Sequence, residues 1–96
     1  MEILASKETG LGGKYVLVRY ENDFYAHGTE ADIHDKWGFP VNSCGTKEEV
    51  LNHCKSISEL CKELLEKYTK ENCEVLRVQN QKELEALEYF IEVLSK

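Results

Sequence analysis

Between Thr46 and Asn72 the apolar residues recur at Val50, Leu51, Cys54, Ile57, Leu60, Cys61, Leu64, Leu65 and Tyr68. Stepped at about 100° per residue, these positions stay on one side of a helix. Asn52, Lys55, Glu59, Lys62, Glu63 and Glu66 take the other side. The pattern predicts one amphipathic helix over residues 46–72. Thr46, Lys47, Glu48 and Glu49 form a capping-box sequence at its start. In that motif the Thr hydroxyl and the Glu carboxylate satisfy each other's backbone N–H. Asn72 suits the far end, because Asn tolerates the left-handed backbone of a helix cap. Ser56 to Glu59 is a second capping pattern, but the apolar phase does not jump across it, so an unbroken helix is expected. Such a helix is about 36 Å long at about 1.5 Å per residue.

Elsewhere the patterning is shorter. Residues 1–5 read as a first strand, on Ile3 and Leu4. Residues 14–20 carry Tyr, Val, Leu and Val in succession and read as the clearest strand. Asn22 and Asp23 suit a two-residue turn, and residues 24–27 return as its partner. That turn pairs Tyr20 with Tyr25 and Val18 with His27. It places Val16, Val18, Tyr20, Tyr25 and His27 on one face, and Tyr15, Leu17, Arg19, Phe24 and Ala26 on the other. Both faces are apolar, so either the sheet is covered twice or one face meets a partner or a second copy. A homodimer through the apolar outer face of the hairpin is the expectation for the second case.

Residues 29–37 suit a short capped helix, which Gly38 and Pro40 end. Residues 41–45 lead on as a loop or short strand. Residues 73–78 read as a further strand, on Val75, Leu76 and Val78. Asn80 to Glu83 then caps a last helix to about Leu94, buried along Leu84, Leu87, Phe90, Ile91 and Leu94. The sum is one α+β domain over residues 1–96. A small, mostly antiparallel sheet of three to four strands is packed on one face by a long central helix and a C-terminal helix.

The 96 residues are 42% hydrophobic and 31% charged, as in an ordinary globular chain. No apolar run is long enough for a membrane span, and no basic-then-apolar leader opens the chain, so a cytoplasmic protein without membrane contact is expected. The four cysteines fit free core thiols in a reducing compartment. A net charge of −6 opposes direct binding to a nucleic-acid backbone and favours a basic protein partner.

Candidate chemistry adds little. The Gly-rich run from Thr9 to Lys14 lacks the spacing of a phosphate loop and reads as a connector. His27, His34, His53 and the cysteines show no metal-ligand spacing, and no cofactor is expected. Cys44 before a helix start has no recognisable catalytic partners. Asp32 and Asp35 beside His34 read as a solvated face. Trp37 and Phe39 either lid the core or anchor a partner.

The most distinctive charge feature is Glu85, Glu88 and Glu92, on one face of the last helix with Lys96 as the only cation in the row. These three residues are the expected partner-binding face. Tyr15, Arg19, Tyr25, Trp37 and Phe39 are the expected aromatic and basic contacts. The leading expectation is a small non-enzymatic interaction module with a basic protein partner. By analogy it suits an inhibitor of a nucleic-acid-handling enzyme, of the kind phage accessory proteins provide. The alternative is an oligomeric binder of a nucleotide-like ligand, with an aromatic and arginine pocket built from Tyr15, Tyr20, Tyr25, Trp37 and Arg19 together with the Gly-rich run.

Overall fold

The computed structural model describes residues 2–9, 12–30 and 43–96. Four strands form an antiparallel sheet in the order β1 (Glu2–Glu8), β2 (Lys14–Tyr20), β3 (Phe24–Thr29) and β4 (Ser43–Gly45). Two helices, α1 (Lys47–Lys70) and α2 (Glu74–Leu94), pack as an antiparallel pair on one face of it. α2 lies over β1 and β2, and α1 over β3 and β4. The α+β architecture expected from the sequence is the one found. The expected short helix of residues 29–37 lies, beyond Glu30, outside the described residues.

α1 is unbroken through Ser56. Its start is the capping box: Thr46 Oγ1 accepts from the Glu49 N–H at 3.2 Å, and the Glu49 carboxylate accepts from the Thr46 N–H at 3.4 Å. Gly45 makes this possible, with φ of 144° and the Glu49 carboxylate 3.1 Å from where a Cβ would stand. At the other end Asn72 takes φ of 56°. The Cys73 N–H donates to the Tyr68 carbonyl at 3.0 Å, and the Asn72 N–H to the Thr69 carbonyl at 3.4 Å. These two bonds are the paired closures of a Schellman cap, and they reverse the chain directly into α2.

That reversal corrects one expectation. Residues 74–78 open α2, with Cys73 as its N-cap, and are not a strand. A short apolar run does not by itself separate strand from helix. Here the tight turn sets the chain antiparallel to α1, and Arg77 pairs with Glu74 one turn back. Asn80 is therefore not a cap. It is buried inside α2, where its Nδ2 donates to the Cys61 carbonyl of α1 at 2.6 Å.

The hairpin turn corrects another. Three residues, Glu21 to Asp23, separate the strands, with Asn22 and Asp23 both at positive φ. Tyr20 therefore pairs with Phe24, Val18 with Ala26 and Leu17 with His27. The register is one residue from that of a two-residue turn, so every β3 side chain changes face. Tyr25 and His27 join Leu17 toward the helices. Phe24 and Ala26 join Val18 on the opposite face.

β1 is longer than expected, and it carries a bulge between Ile3 and Ala5. The extra residue lets neighbours Leu4 and Ala5 both serve the core beneath the helices. That core holds Leu17, Tyr25, Val50, Cys54, Cys61, Leu84, Leu87, Phe90 and Leu94. On the far face Val16, Val18 and Ala26 are also fully buried, with Tyr20 packed on them. The sheet is thus buried on both sides at its centre.

All four cysteines are free. Cys54 and Cys61 are buried, and burial pushes their thiols up to about 12 and about 11. A bulky aromatic disulfide reagent is expected to label exposed Cys44 at once and half-buried Cys73 next. Cys54 and Cys61 should react only as the protein unfolds, read as two delayed adducts by mass spectrometry. Immediate labelling of all four would contradict the packing of α1.

The sheet ends before the helices do. From Lys62 through Gln79 no residue is buried. The tip of the helical hairpin is held by helix-to-helix contact, and Leu60, Val75, Leu76 and Val78 stand exposed there.

Candidate functional site

The outward side of α2 gathers the three acidic residues expected to bind a partner, Glu85, Glu88 and Glu92. Because the helix starts at Glu74, the spacing 75, 78, 82, 85, 89, 92 runs as one continuous stripe. Its members are Val75, Val78, Lys82, Glu85, Tyr89 and Glu92, and all are exposed. Glu88 flanks the stripe and is exposed too. Gln81 donates to Glu85 at 3.3 Å. Among the described residues no cation forms an ion pair with Glu85, Glu88 or Glu92. Lys7 of β1 reaches over the Tyr89 ring, 5.0 Å from its centroid. The arrangement sets acidic groups between apolar ones on one solvent-facing helix surface. The apolar residues were visible in the sequence, but reading residues 73–78 as a strand separated them from the acids.

The aromatic and basic set is not gathered in one place. Arg19 is exposed and pairs with Glu2 at 3.3 Å. A hydrogen bond with Tyr25, then the Glu2 carboxylate, holds its guanidinium above the usual range. Tyr25 itself is in the core. Tyr20 lies on the far face of the sheet beside Phe24, ring centroids 5.9 Å apart. Arg19 and Tyr20 border a shallow hollow with Glu2, Glu21, Asn22 and Asp23, whose acids disfavour a phosphate. Tyr15 borders a different cavity. Trp37 and Phe39 lie outside the described residues.

The cavity at Tyr15 has a volume of about 60 Å³ and sits between the sheet and both helices. Tyr15 and His27 with Gly28 form its floor, and Ile57, Glu83, Ala86, Leu87 and Phe90 its walls. His27 is 5% exposed, and its Nε2 has no hydrogen-bond partner. Its ring stands 5.7 Å from that of His53, whose Nδ1 is likewise buried and unpartnered. Burial, then the neighbouring His53, lowers His27 to about 4, so it is neutral at pH 7. Burial also raises Glu83 above the ordinary carboxylate range. Burial first, then Glu83 and Cys61, raises the Tyr15 hydroxyl. Sequence reasoning missed this grouping because the slipped register put His27 on the wrong face and Glu83 was read only as a capping residue. The signal available was the spacing of Glu83, Leu87 and Phe90 along one buried helical stripe.

Among the described residues no group of three or more His, Cys, Asp or Glu is placed to hold a metal ion. No helix among them is long and apolar enough to cross a membrane. The chain is therefore an α+β protein of sheet-and-helical-hairpin design, with a mixed acidic and apolar helix face and, among the described residues, a small, mostly apolar cavity that carries His27 and Glu83. Comparison with family models, curated proteins and solved structures gives no match.

Proposed function

We propose that the chain is a small non-enzymatic protein-binding module that docks through the outer face of α2. The partner presents basic side chains around an apolar strip, as the groove of a nucleic-acid-handling enzyme does, and the module acts there as an inhibitor. The supporting observation is the exposed stripe in which Val78 and Tyr89 bracket Glu85, with Val75 and Glu92 beyond them. Opposite charges steer such an encounter and set its register, while the apolar residues supply burial. A second copy would find its exposed apolar contacts at Val75, Leu76 and Val78, since Val16, Val18 and Ala26 of the hairpin are already buried.

The test is binding to a candidate basic partner at low and high salt, with the chain and with Glu85→Gln, Glu88→Gln and Glu92→Gln combined. All three positions are exposed, so the variant is expected to fold as the parent does. Affinity should fall with salt and drop by about tenfold or more in the triple variant, about 1.4 kcal/mol. Val78→Ser with Tyr89→Ser should weaken binding without changing the salt dependence. Equal affinity of the triple variant would remove the acidic face from the account.

A further inference from the structure

We propose that the cavity between the sheet and the helical hairpin binds a small primary alkylammonium ion, with its charge on Glu83, an N–H directed to His27, and its alkyl chain against Ile57, Leu87 and Phe90. This site lies on the sheet side of α2, away from the outer stripe, and does not depend on that stripe's role.

Three features of the cavity select this chemistry. The first is charge. Glu83 is half-buried at the cavity wall, and among the described residues no cation forms an ion pair with it. A cationic ligand supplies the missing counter-charge, whereas an anion would meet the carboxylate unshielded. The second is the partnerless Nε2 of His27. Buried polar atoms are normally satisfied, and a neutral imidazole offers a lone pair to an N–H donor. The third is the lining. Phe90 and Tyr15 present aromatic rings, and Ile57, Ala86 and Leu87 present aliphatic surface. Aromatic faces attract an ammonium group, and aliphatic walls cover its carbon chain.

Size narrows the class further. At roughly 10–15 Å³ per water-sized sphere, about 60 Å³ holds about four to six heavy atoms. Propylammonium, with three carbons and one nitrogen, falls within that range. Water alone would satisfy His27 but would leave Glu83 without a counter-charge. The raised carboxyl of Glu83 agrees with this reading, because burial without a cation disfavours its charged form. Binding of the ammonium is then linked to Glu83 ionisation, so the ligand should bring that carboxyl back down.

The experiment is titration of the full chain with propylammonium chloride at pH 7, followed by NMR at the His27 and Tyr15 ring resonances and by thermal unfolding. 1-Propanol and sodium propionate serve as the neutral and anionic matches. Propylammonium should give saturable shifts at both rings and raise the unfolding midpoint, and the two matches should do neither. Glu83→Gln should fold, since it removes a charge disfavoured by burial, and should bind at least about tenfold more weakly. His27→Gln provides a second variant, with its ligand response read at the Tyr15 ring, and should weaken binding while leaving the preference for the cation. Equal response to 1-propanol, an unchanged affinity in Glu83→Gln, or no saturable shift with any of the three compounds would overturn the proposal. The last result would mark the cavity as one that holds water only.

Discussion

Lowering the pH from 7 to 4 is expected to remove about 3 kcal/mol of stability, most of it through His27. The ordinary histidine value of 6.5 describes the unfolded chain, and burial beneath the helices lowers the folded value to about 4. Between those two values the unfolded state binds a proton that the folded state does not. Stability is therefore full above pH 6.5, falls through the window, and is lost once the pH is below about 4. A shift of that size corresponds to about 3.5 kcal/mol at about 1.4 kcal/mol per unit, of which about 3 kcal/mol is lost by pH 4, where His27 is half protonated in the folded state. For a domain whose total is of the order of 5–15 kcal/mol, this is a large share. The neighbouring His53, ring centroids 5.7 Å away, adds to the lowering of His27. Glu83 works against it. Its raised folded value means that it takes up a proton earlier in the folded state, which returns some stability near the acid end. Urea unfolding at a series of pH values measures the sum. His27→Leu should flatten the curve between pH 6.5 and 4, whatever it does to stability at pH 7. An equally steep fall in that variant would place the titrating group elsewhere.

The layout of the protein was legible wherever one pattern ran long enough to exclude its rivals. α1 is the clearest case. Nine apolar positions, a capping box and a terminal Asn all specify the same helix; the cap and the Asn are seen in their expected roles, and of the nine apolar positions only Leu60 is exposed. A small, mostly antiparallel sheet packed on one face by the helices also followed from the strand patterning. Two local ambiguities were not resolved by pattern. A turn of two or three residues at Asn22 and Asp23 differs by one step in register, and only the backbone shows that both sit at positive φ. The run at Val75 to Val78 satisfies strand propensity, yet the cap at Asn72 and the packing against α1 make it helical. The candidate sites inherit these two ambiguities. The acids of α2 were readable as a surface row because helical spacing within residues 80–94 was secure. Val75 and Val78 joined that row only once the helix was known to begin at Glu74. The cavity of His27, Glu83 and Tyr15 needed three elements in correct register, which short-range pattern does not supply.

The two ends of α2 should differ sharply when its large apolar residues are shortened. Phe90 is 1% exposed and sits against His27, ring centroids 6.2 Å apart, at the wall of the small cavity. Phe90→Ala is expected to cost about 3–5 kcal/mol, near the upper part of that range, because the space it leaves merges with an existing void. Leu76 falls on the same sheet-facing side of the helix, four turns earlier, but it is 45% exposed beyond the edge of the sheet. Leu76→Ala removes little buried area and should cost less than about 1 kcal/mol. Hydrogen exchange should show the same gradient: amides around the tip, from Lys62 through Gln79, open locally, while those from Leu84 to Phe90 require global unfolding. The physical reason is that the tip has only one layer of partners, helix on helix, whereas the other end has two helices and a sheet. Denaturant unfolding of the two variants decides the matter. A cost at Leu76 as large as that at Phe90 would mean that the tip is covered in solution by a second molecule. Val75, Leu76 and Val78 would then have to be counted as interface instead of solvent-facing surface.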